Sequence, residues 1–174
     1  MVSRTKSGMA LVVVSLLSPL FFAPAQVMGN HYEVGIVYYA DGNDFKALDK
    51  EAAPQSGRSN YSARVKGAHA TVRLRADGRQ TFRVCGVDPS RFKLYRFKSE
   101  RNTRTVKIAK NNMLIGGSRT VLLESEIPVA MQTGEGGCFS LTPKSPLGDG
   151  EFGFSPLESL DAFMFGVGDV KQSK

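Results

Sequence analysis

The stretch ATVRLRADGRQTFRVC, residues 70–85, decides the fold class. Ala70, Val72 and Leu74 alternate with Thr71, Arg73 and Arg75, the period-two pattern of a strand with one buried and one wet face. Asp77-Gly78 has the chemistry that tight hairpin turns favour. Residues 80–85 then place Phe82 and Val84 on one face and Thr81, Arg83 and Cys85 on the other. The whole stretch reads as an antiparallel hairpin.

The same grammar extends in both directions. Residues 32–39 read as a first strand, the turn Asp41-Gly42-Asn43 ends it, and residues 45–48 return as a short partner. Residues 49–62 are polar and rich in Ala, Pro, Gly, Ser and Asn, which predicts a flexible polar loop. After Asp88-Pro89-Ser90, residues 92–97 form a strand whose alternation slips between Leu94 and Tyr95. Such a slip marks a bulge or a strand covered on both sides. Residues 105–109 put Val106 and Ile108 inward and Lys107 outward. Further strands are expected at 119–124, 137–142, 151–154 and 162–167. Phe152 with Phe154, and Phe163 with Phe165 and Val167, then belong to the core. No helical period of useful length follows the first residues of the chain. The expectation is an all-β antiparallel sandwich, immunoglobulin-like in outline, with a β-barrel as the alternative.

The chain opens with Arg4 and Lys6, an uncharged apolar run over 9–22, and the small-x-small triplet Ala23-Pro24-Ala25. That order is the pattern of a cleavable secretory signal peptide over residues 1–25. The run is shorter than the roughly 20 residues a membrane-spanning helix requires. The expected product is residues 26–174, a single domain with a short polar C-terminal tail, exported to a periplasmic or extracellular space. In an oxidising compartment Cys85 and Cys138 are expected to pair. Closing a loop of that length would stabilise the fold by up to about 4 kcal/mol in the chain-entropy picture. Both cysteines are out of phase with the apolar residues beside them. They are therefore placed at a strand end or on an outer face rather than across the core.

The order of several segments resembles an uncharacterised domain of small exported bacterial proteins. The matching pieces are Gly35-Ile36-Val37-Tyr38-Tyr39, residues 65–74, residues 88–97, the charged segment 98–110 and residues 150–156. The resemblance implies an exported β domain and no particular activity.

Charge is segregated along the sequence. Residues 58–110 carry fifteen Lys and Arg against Asp77, Asp88 and Glu100, within a chain of net charge +7. Under the alternation above, Arg73, Arg75, Arg83 and Lys107 project from the wet faces of neighbouring strands. They are the candidate anion-binding residues, toward anionic lipid headgroups, lipopolysaccharide phosphates, acidic polysaccharide or an acidic protein. Nucleic acid is not expected as a partner, because an exported chain rarely meets it. No nucleophile elbow, phosphate loop or metal-ligand spacing is present, so no catalytic, cofactor-binding or metal residue is assigned. His31 lies near the mature start, His69 has no acidic partner in sequence, and Glu151 reads as a strand-entry residue. The functional expectation is a non-catalytic envelope protein that binds or scaffolds. The alternatives are an assembly subunit pairing through strand edges and a hydrolase whose residues converge only on folding.

Overall fold

A computed structural model describes residues 31–56, 60–76, 78–111, 119–121, 123–156 and 159–169. The signal peptide, the turn residue Asp77 and the C-terminal tail expected from the sequence lie outside them. The strands run in order β1 (Val37–Asp41), β2 (Asp44–Ala47), β3 (Asp49–Ala52), β4 (Gln55–Ser56) and β5 (Asn60–Lys66). They continue with β6 (Arg73–Leu74), β7 (Phe82–Cys85), β8 (Phe92–Glu100), β9 (Thr103–Asn111) and β10 (Arg119–Val121). The last five are β11 (Glu126–Ile127), β12 (Val129–Thr133), β13 (Cys138–Pro143), β14 (Gly150–Pro156) and β15 (Asp161–Val167). The described helical segments are 3-10 turns of three residues each.

Two sheets form the all-β, sandwich-like fold. The smaller has the order β12-β13-β7-β1-β2, and the larger β3-β15-β14-β8-β9-β5-β4. Pairing is antiparallel, apart from β6 beside β15 and the bridge Val34–Cys85. The larger sheet curls. Its first strand, β3, pairs with β15, and β4 pairs with β5 at the opposite edge. Between β3 and β4, the Ala53 N–H donates to the Leu160 carbonyl, and Pro54 accepts from the Arg64 N–H. One run of chain, 49–56, thus joins both edges of the sheet.

This corrects the reading of residues 49–62 as a loop. In 49–56 the residues turned into the curl are Glu51, which is paired with Arg104, and the buried Ala53. Without long apolar side chains, the segment lacks the alternation that identifies a strand.

Two apolar layers result. Between the sheets, Val37, Phe82, Val84 and Leu141 meet Phe152, Phe154, Phe163 and Phe165. Phe82 lies 4.9 Å from Phe154 and 4.8 Å from Phe165 between ring centroids. Inside the curl, Val65, Tyr95, Phe97, Val106 and Met164 form a second cluster. Strand β8 serves both layers, which explains the slip at Leu94 and Tyr95. Leu94 belongs to the first cluster and Tyr95 to the second, and β8 keeps an unbroken register with β14. The strand is covered on both faces rather than bulged.

The hairpin expected over 70–85 does not form. β7 pairs with β1 and β13 in the smaller sheet, and β6 joins β15 in the larger. The intervening turn carries the chain from one sheet to the other. Alternation and turn chemistry are local signals that suit this crossover as well as a hairpin. Partner choice is set by distant residues. Cys85 and Cys138 face each other across β7 and β13 and are disulfide-bonded. The bond staples one sheet near its strand ends and spares the core, as their phase in the sequence indicates.

Phe82 is fully buried and touches two rings of the opposite sheet, so Phe82→Ala should cost about 3–5 kcal/mol. Urea unfolding of the two proteins measures it; a loss below about 1 kcal/mol would contradict the packing described.

Candidate functional site

Glu151 is the second residue of β14 and stands opposite Phe97 and Gly166, on the face turned into the curl. Its side chain is 5% exposed. A carboxylate at such a place is costly unless its oxygens are satisfied. The donors come from one short strap, residues 67–75. The Ala70 N–H donates to Glu151 Oε2 at 2.8 Å, His69 Nδ1 lies 3.1 Å from Oε1, and Arg73 Nη1 donates to the same oxygen.

The strap crosses the end of the curl and is tied at both sides. At its start, the Gly67 N–H donates to the Asn102 carbonyl and Ser99 Oγ to the Ala68 carbonyl. At its finish, the Val72 and Leu74 carbonyls accept from Gly166 and Gly168. Arg73 lies over β15, donating from Nε to Gly168 and from Nη2 to Gly168 and Val167. Gly166 leaves room for this placement, because a Cβ there would overlap the guanidinium.

A second ion pair sits within the curl. Arg104 on β9 is 1% exposed, and its Nη2 donates to Glu51 Oε2 at 2.6 Å and to the Lys66 carbonyl at 2.8 Å. Its Nε donates to Gly67, at the root of the strap. Both pairs thus brace the same end of the larger sheet.

Outside that end lies a cleft of about 550 Å³. His69, Arg73, Arg96 and Lys98 line it, with Glu124, Asp149 and Asp169 among the acidic residues. A second depression, about 400 Å³, shares Arg96, Lys98 and Ser125 with the cleft and continues to Lys107 and Arg64. Strand register explains this row. Lys98 pairs with Thr105, which pairs with Arg64; Glu100 pairs with Thr103, which pairs with Lys66. Arg64, Lys66, Arg96, Lys98 and Lys107 are all exposed on the outside of β5, β9 and β8. The hydrogen bond and charge of Lys98, with a contribution from Arg64, hold the Glu100 carboxyl below the usual range. Among the described residues, Arg64, Lys66 and Lys107 form no ion pair.

The candidate anion-binding residues are not brought together. Arg73 is committed to Glu151, and Arg75 is exposed beyond β6, where its carbonyl accepts from Gln80. Arg83 stands on the smaller sheet, 3.9 Å above the Phe45 ring centroid, and donates to the Tyr32 hydroxyl. Lys107 alone of the four belongs to the row on β5, β9 and β8. The neighbouring-strand premise fails with the hairpin that carried it.

One further reading is corrected and another extended. His69 does have an acidic partner, Glu151, 82 positions away, and Glu151, which does enter strand β14, is also a buried anchor. Nothing local reports such a pairing. The exposed row was accessible in principle, since Arg64 with Lys66 and Arg96 with Lys98 are spaced by two. No cluster of three His, Cys, Asp or Glu suited to a metal occurs among the described residues.

Because Arg73 occupies the space of a Cβ at 166, Gly166→Ala should destabilise the wild-type background by several-fold more than the Arg73→Ala background. A double-mutant cycle by urea unfolding should give a coupling of about 1–3 kcal/mol. Additive losses would show that the guanidinium does not need the glycine.

No family model, curated protein or solved structure matches this chain.

Proposed function

We propose that the chain is an exported, non-catalytic binding domain that docks on an anionic component of the cell envelope through the outer face of β5, β9 and β8. The observation that carries this reading is the register that gathers Arg64, Lys66, Arg96, Lys98 and Lys107 on one face, against the single carboxylate Glu100 among the outward residues of those strands. Cations at strand spacing produce a sustained positive potential, and an anionic surface or polymer can meet several of them at once. Export is supported by the leader pattern at residues 1–25 and by the Cys85–Cys138 bond, which suits an oxidising compartment. No helix among the described residues is long and apolar enough to cross a membrane.

One observation favours hydrolysis instead: His69 borders a cleft with Glu151 behind it. The partners of that pair argue for support. The Glu151 charge is already balanced by Arg73 and by the Ala70 N–H, and Ser99 in the same cleft gives its hydroxyl hydrogen to the Ala68 carbonyl. The cluster holds the strap in place, and among the described residues no hydroxyl is hydrogen-bonded to the imidazole.

Co-sedimentation with liposomes containing anionic lipid, and with neutral liposomes as reference, tests the reading. Binding should require the anionic lipid and weaken as salt rises. At about 1 kcal/mol for each cation near such a surface, replacing Arg64, Lys98 and Lys107 together by Ser should lower affinity on the order of 100-fold. Replacing Arg75 and Arg83 should leave it within about twofold. Equal retention of both variants would overturn the assignment of the face.

A further inference from the structure

We infer that β12 is a homodimerisation edge, at which two copies of this chain pair antiparallel about a two-fold axis through Met131. The inference does not depend on the binding face described above.

The two edges of the larger sheet are joined by the run 49–56, whereas the smaller sheet ends at β12 and β2. Hydrogen bonding fixes which groups of β12 point outward. Pro128 accepts from the Lys144 N–H at 2.9 Å, and the Gly134 N–H donates to Cys138 at 2.8 Å. Bonded and non-bonded pairs alternate along an antiparallel ladder. Ala130 and Gln132 therefore bond toward β13. The N–H and C=O groups of Val129, Met131 and Thr133 are turned away from it, and among the described residues no strand meets them.

The two edges differ in how they are guarded. β2 carries Asp44 and Lys46, and Lys46 is ion-paired with Asp41, the kind of charge that discourages edge pairing. β12 reads Val-Ala-Met-Gln-Thr, with neither charge nor proline. Met131 is opposite Leu141, which is opposite Phe82, so its side chain lies on the core face of the sheet. At the open edge it is nonetheless 40% exposed.

A second copy fits this edge better than a charged or irregular partner, because the strand is complementary to itself. With Met131 opposite the partner's Met131, Val129 faces the partner's Thr133 and Ala130 faces the partner's Gln132. Two β-branched residues then meet on each side of the axis, and no like charges are opposed. All three outward residues of each copy find backbone partners. The two methionines extend the apolar layer across the junction.

Sedimentation equilibrium of the purified chain over a concentration series should show a reversible monomer–dimer transition. Met131→Glu and Met131→Lys, each alone, should be monomeric at concentrations where the unmodified chain is dimeric. An equimolar mixture of the two should recover the dimer. A chain that stays monomeric at millimolar concentration, a dimer unaffected by Met131→Glu, or a mixture that stays monomeric would overturn the inference. Amide exchange on the unmodified chain provides a test free of any folding defect in the variants. The Val129, Met131 and Thr133 amides should slow as concentration rises, while those of β2 do not. Slowing at β2 instead, or at neither edge, would equally overturn it.

Discussion

The Glu151 carboxylate is buried at the end of the curled sheet, and burial obliges the surrounding chain to supply donors. All three come from the strap at 67–75: a backbone N–H, an imidazole and a guanidinium. The strap lies along β15 and its guanidinium sits over Gly166, where a Cβ would overlap it. Arg73 and Leu74 are held against β15, and the chain does not return beside them as a hairpin partner. It crosses instead to the smaller sheet, where β7 fills the centre between β1 and β13. A single buried charge is thereby connected to the sheet order, the placement of the disulfide and the covering of one end of the inner core.

The parts of this fold legible in the sequence are those written in short-range chemistry. The strands at 92–97 and 105–109, the turn at Gly42, the phenylalanines of β14 and β15 and the phase of the cysteines all follow from alternation and turn residues. Even the break at Leu94 and Tyr95 was informative, since a strand with cores on both sides must lose its alternation. What failed were inferences about partners. Residues 70–85 satisfy every local rule for a hairpin, yet their two halves lie in different sheets because Arg73 answers to Glu151, far along the chain. The run 49–56 concealed its strands for a different reason. The residues it turns into the curl are Glu51 and Ala53, one charged and one small, so the sequence there has no hydrophobic rhythm.

The same distinction governs the candidate site. Segregated charge was visible in the composition, and so was the alternation that turns Lys107 outward. Which basic residues share a face depends on register, and register is a property of pairs of strands. Arg73 and Arg83 are withdrawn from the free charge by a carboxylate and by aromatic rings respectively. Arg64, Lys66 and Lys107 remain outside any ion pair among the described residues, with Thr103 and Thr105 on β9 between the strands, while Lys98 shares its charge with Glu100. The ion pairs inside the curl keep the strands beneath that row in place, while the row itself stays in water, where long-range attraction and salt sensitivity belong together.

The most direct measurement is amide chemical-shift mapping of the isotope-labelled chain during titration with vesicles or bicelles of anionic lipid. The account predicts that changes concentrate on β5, β9 and the second half of β8, around Arg64, Lys98 and Lys107, and fade at high salt. Changes centred instead on Arg75 and Arg83, or spread evenly over the surface, would contradict it.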